Sequence, residues 1–195
     1  SRAIWQNRSP SNEPSMPDAI NRAGNRRLPE LEYLGDALLF TAQLHAMLPY
    51  SPLFESLQLD EVHALSPFLE VYRAQSGQTV LREGEAGDFM LFVIEGRIEV
   101  FKEAGEHLPN LIAVIGAGKV LGEMSLIDGE PRSATCIADA VTLMAALSRE
   151  ALARIIVEQP LLGAKILMGL VVLLSFRLRK TSAQLLSCLE QQRGQ

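Results

Sequence analysis

The segment from Leu121 to Thr135 carries the residues whose types and spacing are best suited to binding chemistry. Glu123 can accept hydrogen bonds from hydroxyl groups, although its charge would repel a phosphate. Arg132, nine residues further along, presents a planar fork of donors that matches a phosphate. Together they predict a ligand with a free hydroxyl at one end and an anionic phosphate at the other, and a ribose phosphate is such a ligand.

The residues around this pair support the prediction. Gly122 permits close approach to the backbone, and the stretch Glu123–Ile127 has the makings of one short helical turn. The N-terminus of such a turn directs free N–H groups and the positive end of a dipole outward, which suits an anion. Pro131 restricts the chain just before the arginine, and Ser133 adds a hydroxyl donor.

Two simpler interpretations compete with a ligand site. In the first, Arg132 forms an ion pair with Glu123 and no ligand binds. In the second, Glu123 is an acidic residue that stabilises the N-terminus of a helix and does nothing else. Under either of them this part of the chain would be a scaffold without a ligand.

The whole segment resembles the phosphate-binding cassette of cyclic-nucleotide-binding domains, whose pattern reads F-G-E-(L/M)-(A/S)-L-(I/L)-x-x-x-P-R-x-A-(T/S). Ten of its eleven specified positions agree. Leu121 departs from the common phenylalanine, and Lys119 stands where an acid is frequent. The resemblance extends over roughly residues 52–192, and the stretches 84–88 and 92–100 are similar to the family's first β-hairpins.

This resemblance implies a role for each matching residue. Glu123 would bind the ribose 2′-hydroxyl, and Arg132 would pair with the cyclic phosphate. Gly122 and the backbone at Ser133 and Ala134 would line the phosphate, with the Ser133 hydroxyl on an exocyclic oxygen. The ligand-binding residues expected in the cassette are Gly122, Glu123, Met124, Ser125, Arg132, Ser133 and Ala134.

The expected ligand is cAMP, with cGMP as the alternative, and no metal or other cofactor is expected. Ser133 follows the arginine here, and serine also occurs at that place in the bacterial cAMP receptor protein. Thr181 and Ser182 resemble a Thr-Ser pair that meets the adenine in that protein, one residue from each subunit. The competing interpretation makes Thr181 a polar residue of a helix seam and leaves Ser182 solvated.

Between Val71 and about Leu147, short apolar runs alternate with glycine turns, and this spacing predicts the strands of a sandwich or barrel. The predicted strands cover 79–81, 89–94, 97–101, 111–115 and 137–147, the last as one or two strands. With the resemblance, the expected fold is α+β: a jelly-roll-like β-roll flanked by N-terminal helices and a long C-terminal helix. The expected limits are 1–27 for a flexible N-terminal arm, 28–50 for an N-terminal helix, 51–158 for the β-roll and 160–192 for a C-terminal dimerisation or lid helix.

Helical spacing precedes and follows the β region. The stretch Leu28–Leu48 is predicted to be helical, and a second short helix after Ser51 is predicted with Asp60 as its N-cap. Ser148 predicts the N-cap of a further helix, and Pro160 predicts the start of a long one.

The long helix shows the heptad spacing of a seam between paired helices, which predicts a parallel homodimer. Its rival is a membrane span, because the run Leu161–Phe176 is very apolar. That run has only 16 residues and contains Lys165, so no membrane span is expected. The seam residues are Ala164, Leu167, Val171, Leu174, Leu178, Thr181, Leu185 and Cys188.

Composition limits the remaining choices. A net charge of −5 argues against a surface that binds nucleic acid throughout, and too few residues follow the long helix for a winged helix-turn-helix, so no direct DNA binding is expected. Two distant cysteines and a polar N-terminus without an apolar leader predict a reducing, cytoplasmic location. No arrangement of nucleophiles or metal ligands predicts an enzyme. The chain is expected to signal to an unidentified effector protein, by itself or as the sensor part of a transcription regulator.

Overall fold

The computed structural model describes residues 27–104 and 107–193, so the arm expected at 1–27 lies outside the described residues except for Arg27. The described residues form nine strands, β1 to β9: Glu32–Asp36, Glu70–Ala74, Thr79–Leu81, Phe89–Glu95, Arg97–Ala104, His107–Gly116, Val120–Leu121, Thr135–Ala138 and Thr142–Ser148. The α-helices α1 to α5 are Thr41–Met47, Leu59–Leu65, Glu123–Asp128, Arg149–Glu158 and Pro160–Arg193, and short 3₁₀ helices cover Ala37–Phe40, Leu48–Tyr50 and Ser66–Phe68.

The strands pair in two antiparallel sheets. One sheet has the order β1-β2-β9-β4-β7 and the other has the order β3-β8-β5-β6. Strands far apart in sequence, such as β2 and β9 or β3 and β8, are neighbours, so the chain closes on itself as a roll. The expected α+β fold, with antiparallel sheets, flanking helices and a long C-terminal helix, is confirmed.

The five-stranded sheet lies between two hydrophobic clusters, and strand β4 shows the consequence. Residues 89–94 are all buried. Met90 and Phe92 pack with the helices, whereas Leu91 and Val93 pack toward the four-stranded sheet. A strand covered on both faces is apolar throughout instead of alternating. That double coverage explains why this strand reads as one continuous apolar run.

The strands predicted from glycine spacing are confirmed, and the closing region divides into β8 and β9. Strands β2 and β7 were not among the predicted strands. Strand β7 has only two residues, which is too short to show a period of any kind. It pairs with β4, and its second residue, Leu121, is the first residue of the cassette, so this pairing sets where the cassette begins.

The prediction of a helix across residues 28–50 is wrong at its start. Glu32–Asp36 is strand β1, paired antiparallel with β2, and regular α-helix begins only at Thr41. Gly35, at φ 110°, follows a shift in the strand register, and the Tyr33 ring packs edge-on against Tyr72 at 5.5 Å. Pairing with a sheet edge thus overrides the helical spacing of the apolar residues, which is sustained over too few turns to compete.

The cap of α2 also differs from the prediction. Gln58, not Asp60, is the N-cap, and its backbone N–H donates to Glu61 at 2.8 Å in a capping box. Asp60 lies in the first turn, where an acid also interacts favourably with the helix dipole. The predicted cap of α4 is confirmed, because the Ser148 hydroxyl accepts from the Ala151 N–H at 3.0 Å.

The long helix α5 begins at Pro160 as predicted. Its inner face packs through Leu162, Ile166 and Leu170 into the cluster formed with the other helices. Gly169 marks the closest approach: a Cβ added there would lie 2.6 Å from the carbonyl oxygen of Leu53. The first part of α5 is therefore fixed against the domain.

Among the described residues, α5 is also the one helix long and apolar enough to cross a membrane, by length and composition alone. Lys165 lies inside that stretch and donates to both carboxylate oxygens of Glu61, at 2.6 and 2.7 Å. A charged residue paired to the body of the domain favours packing on the protein over insertion into lipid. The expected absence of a membrane span stays a prediction.

Candidate functional site

The cassette begins at a helix that is bounded by two glycines. Gly122 adopts φ 75° immediately before α3, and Gly129 adopts φ 80° immediately after it. Both values lie in the left-handed region, which glycine occupies without steric cost. The short helical turn expected at Glu123–Ile127 is confirmed as part of α3, and its N-terminus carries the buried Glu123.

Arg132 lies in a cradle of backbone groups. The side chain is 4% exposed, and its Nη1 donates to the carbonyl oxygens of Phe89 at 2.8 Å and Gly122 at 2.9 Å. The guanidinium carbon lies 4.3 Å from the centre of the Phe89 ring. A Cβ at Gly87 would lie 2.3 Å from the same guanidinium carbon, and one at Gly122 would lie 2.6 Å from Nη1. Glycine is therefore needed at both positions to make room for the arginine.

The second terminal nitrogen of Arg132, Nη2, is buried and has no hydrogen-bond partner. A buried donor left without a partner costs about 1–3 kcal/mol, and more when it is charged. Burial lowers the pKa of Arg132 from its usual value, while nearby carboxylates, among them Asp88 and Glu123, oppose the shift. An arginine remains protonated under these conditions, so the site holds a cationic donor with unused capacity. A phosphate oxygen fits that donor.

Glu123 is buried as deeply as the arginine, at 1% exposed, but its partner comes from elsewhere. Arg177, on α5, donates through Nη1 to Glu123 Oε1 and through Nη2 to the Val120 carbonyl oxygen at 2.8 Å. Within the described residues Arg132 makes no ion pair with Glu123. The ligand-free pairing of Glu123 with Arg132 considered from the sequence is therefore wrong, and the carboxylate is joined to the long helix instead.

Sequence reasoning did not assign a role to Arg177. Its contact with Glu123 joins residues 54 positions apart, and no local sequence pattern predicts it. The one available signal is its place on the long helix, four residues before Thr181, because residues four apart share a helix face.

The remaining residues expected in the cassette come together around α3. Ser125 is buried, while Met124 is half exposed and its sulfur lies 4.0 Å from the Ser133 hydroxyl. Ala134 is partly buried beside Ser133. Gly122, Glu123 and Arg132 complete the group, so every cassette residue expected from the sequence lies in one place.

Thr181 and Ser182 are exposed on α5 and make no hydrogen bond to the cassette in the described residues. Thr181 lies one turn beyond Arg177, about 6 Å along the axis and near the same face. Ser182 points in another direction, since five residues rotate a helix by about 140° from Arg177. Their predicted contact with the base stays a prediction.

Arg149, at the start of α4, was also not expected from the sequence. It donates to the carbonyl oxygens of Leu126 at 2.8 Å and Ser125 at 2.6 Å, which belong to the last turn of α3. A cation at the C-terminal end of a helix interacts favourably with the exposed carbonyl groups. The cassette helix is thus tied to α4 at one end and, through Glu123, to α5 at the other.

Other concave or ligating features lie outside the cassette. One surface cavity of about 300 Å³ lies between α2 and the start of α5, beside Glu61 and Leu161. A second, of about 210 Å³, is lined by charges of both signs, among them Arg27, Glu70 and Arg154. Among the described residues no group of histidine, cysteine or acidic side chains could hold a metal ion.

Comparison with known proteins shows which family shares this sequence. The family model described as the cyclic nucleotide-binding domain matches residues 72–159. The CRP-like cAMP-activated global transcriptional regulator of Mycobacterium tuberculosis is 27% identical over 133 residues, which cover 68% of this chain and 58% of that protein. The cyclic AMP receptor protein of Thermus thermophilus is 30% identical over 135 residues, which cover 69% of this chain and 61% of that protein.

The match to a solved structure covers a larger part of this chain. A cyclic nucleotide-binding domain from Methylobacillus flagellatus is 34% identical with a TM-score of 0.74, and the match covers 84% of this chain and 93% of that one. By contrast, the chain spans about three fifths of the length of the two curated relatives. The shared roll, the long helix and the matching cassette show that the chain belongs to the cyclic nucleotide-binding domain family.

Proposed function

We propose that the chain senses a cyclic mononucleotide, with Arg132 on the cyclic phosphate and Glu123 on the ribose 2′-hydroxyl. The observation that carries this proposal is the buried Nη2 of Arg132, a charged donor without a partner. Such a group is costly unless something satisfies it. A phosphate oxygen does so with a charge-assisted hydrogen bond, which is stronger than a neutral one.

The ribose end would couple ligand binding to the position of α5. Arg177 engages Oε1 of Glu123, and the second carboxylate oxygen has no hydrogen-bond partner among the described residues. A ribose hydroxyl donating to that oxygen joins the ligand to the same carboxylate that holds α5. Ligand binding then changes the free energy of the α5 contact, which is the condition for a shift between two arrangements of the helix.

The preferred ligand is cAMP, with cGMP as the alternative. Two observations support this choice: serine stands at position 133, and the two curated relatives are named for cAMP. Thr181, one turn beyond Arg177, would meet the purine of its own ligand, and Ser182 would reach the ligand of the neighbouring subunit.

The proposed assembly is a parallel homodimer through α5. Leu167, Val171, Leu178 and Leu185 recur at heptad spacing and are all exposed, whereas Ile166 and Leu170 on the inner face are buried. An apolar stripe that faces away from the domain is typical of an interface, which supports a helix pair. Ser182 lies on this outer side of the helix, as a contact with the second subunit requires.

The signal is proposed to pass to an effector protein in the cytoplasm, with no chemistry performed by the chain itself. A second candidate function is the sensor part of a transcription regulator, because the two curated relatives are regulators or receptors that extend well beyond the matched region. In that case the effector is a further domain joined to the sensor.

The direct test is calorimetric titration of the purified protein with cAMP, cGMP and linear 5′-AMP. We expect saturable binding of cAMP, weaker binding of cGMP, and little binding of 5′-AMP, whose phosphate is not held in a ring with the ribose. Absence of saturable binding of either cyclic nucleotide would refute the sensor function. Equal binding of 5′-AMP would show that the cyclic phosphate is not what the site recognises.

The dimer is tested with Leu178→Glu, which places a charge in the seam and is expected to give monomers by sedimentation velocity. Leu108→Glu, on strand β6, changes another exposed leucine, outside α5, and should leave the dimer intact. Mild oxidation should link Cys188, exposed on α5, to its twin in a parallel arrangement. An antiparallel pair would keep the two thiols apart and give no covalent dimer.

A further inference from the structure

Lys102, on strand β5, joins two segments that otherwise belong to different parts of the roll. Its ammonium group donates to the Ser133 carbonyl oxygen at 2.7 Å and to the Glu83 carboxylate. Glu83 is itself held by the Glu103 N–H at 3.0 Å. The lysine is therefore fixed between an anchored carboxylate and the backbone of the cassette.

The backbone before Ser133 is held from the other side. Arg132 donates its N–H to the Glu85 carbonyl oxygen at 2.8 Å, and its own carbonyl accepts from the Gly84 N–H at 2.9 Å. Thr135 is held too, since its hydroxyl accepts from the Glu83 N–H at 3.0 Å. Between these two points, the Ser133 carbonyl oxygen accepts its hydrogen bond from Lys102.

The geometry of the peptide bond gives this orientation a consequence. In a planar trans peptide the carbonyl of Ser133 and the N–H of Ala134 point in opposite directions. A cation that holds the carbonyl on one side therefore aims the Ala134 N–H toward the other. Among the described residues, neither Ser133 nor Ala134 donates its N–H to a carbonyl oxygen or a side chain, so both donors remain available for a ligand.

We propose that Lys102 is a positioning residue, which orients the Ser133–Ala134 peptide so that its N–H donates to an exocyclic oxygen of the bound phosphate. This assignment rests on the proposed function of the cassette. The hydrogen bond from the ammonium group also polarises the peptide, which strengthens the opposite N–H as a donor. Lys102 acts through the backbone and does not touch the ligand.

The test compares Lys102→Met with wild type, using cAMP and the two diastereomers of its phosphorothioate. Each diastereomer replaces a different exocyclic oxygen by sulfur, so the ratio of their dissociation constants reports how unequally the site treats the two oxygens. We expect Lys102→Met to weaken cAMP binding about fivefold, the effect of one lost hydrogen bond, and to move the diastereomer ratio toward one. Lys102→Arg should restore both values because it keeps a cationic donor.

Arg97→Met is the matched control, since it removes an exposed ion pair with Asp139 from the same strand. It should leave the diastereomer ratio unchanged, and thermal unfolding without ligand shows whether each variant is folded. If Lys102→Met does not fold, Lys102→Gln serves in its place. An unchanged ratio in a folded Lys102 variant, or an equal shift in Arg97→Met, overturns the assignment while the proposed function stands. Failure of wild type to bind cAMP or cGMP overturns the proposed function and this assignment with it.

Discussion

The cassette has a proposed phosphate end and a proposed ribose end, and the two satisfy their charges in different ways. At the phosphate end, Arg132 is held by backbone carbonyls of its own roll, and one of its donors is unpaired. At the ribose end, Glu123 is already paired, and its partner Arg177 belongs to the long helix. Both side chains are almost fully buried, so burial alone does not distinguish them.

This difference separates affinity from signalling. A ligand at the proposed phosphate end would meet the unpaired Nη2 of Arg132, whose Nη1 is held by the carbonyl oxygens of Phe89 and Gly122 and not by the long helix. A ligand at the ribose end changes the surroundings of a carboxylate that holds α5 in place. The first end should therefore dominate the binding free energy, and the second should dominate the response of the helix.

Removing the phosphate contact gives the largest expected effect. Arg132→Ala should weaken cAMP binding by about 2–3 kcal/mol, the range for hydrogen bonds to charged groups, which is on the order of 30- to 150-fold. Calorimetric titration measures it, and Arg154→Ala, an exposed arginine on α4, is the control. Unchanged cAMP affinity in folded Arg132→Ala would show that Arg132 does not bind the phosphate.

Glu123→Gln tests the ribose end with a smaller expected effect. The amide oxygen still accepts a hydroxyl hydrogen bond, but the charge that attracts Arg177 is gone. We expect cAMP affinity to fall about tenfold, as a charge-assisted bond becomes neutral. Binding of 2′-deoxy-cAMP should change little, because that ligand lacks the hydroxyl. An equal loss for both ligands would show that Glu123 does not meet the ribose.

Arg177→Met tests the two ends separately. It removes the contact between Glu123 and α5 but keeps Arg132 and Glu123, the two residues proposed to contact the ligand. Affinity should fall only about threefold, within the range of one ordinary hydrogen bond. Hydrogen exchange of the backbone along residues 178–190 should rise and should no longer respond to cAMP. A helix that still responds normally would place the coupling elsewhere, for instance at Arg149.

The smallest expected effect concerns the other attachment of α5. The hydrogen bond from Lys165 lowers the pKa of Glu61 from its usual value near 4.5. Since the pKa is lower in the folded state, the pair stabilises fully above that value and loses its contribution as pH falls through the lowered pKa. Glu61→Gln should cost about 0.5 kcal/mol at pH 7, because both side chains are partly exposed.

Thermal unfolding at pH 7 and at pH 3 measures this effect. The difference between wild type and Glu61→Gln should shrink at the lower pH, and cAMP affinity should be equal in the two proteins at pH 7. Glu158→Gln breaks an exposed pair within α4 and provides the reference. A large change in cAMP affinity would mean that the start of α5 also takes part in ligand coupling.

The cassette could be predicted because its characteristic residues lie in one short, continuous segment of the sequence. Glycine, glutamate, proline and arginine occur at the spacing of the family's cassette, and the helix lies where that spacing places it. The strands were predictable for the same reason, since glycine turns separate each apolar run from the next. In both cases a local signal and the final structure agree.

The errors have a common physical cause, which is that tertiary contacts are absent from local patterns. Leu31, Leu34 and Leu38 recur near helical spacing, yet residues 32–36 between them pair with β2 as a strand. Arg177 finds Glu123 across 54 residues, and Lys102 finds Ser133 across 31. None of these partners can be inferred from the neighbours of either residue.

Among the described residues, Arg177 is the last residue of α5 that forms a hydrogen bond with the cassette region, and every residue from 178 to 190 is exposed. The helix continues to Arg193, which at 1.5 Å per residue is an arm of about 24 Å beyond its final support. A tilt of about 10° at the support would carry the C-terminal end of the helix roughly 4 Å sideways, which is about three quarters of the length of one helical turn. Under the proposed function, this displacement is how release of the contact between Arg177 and Glu123 would reach the helix seam and, through it, an effector protein.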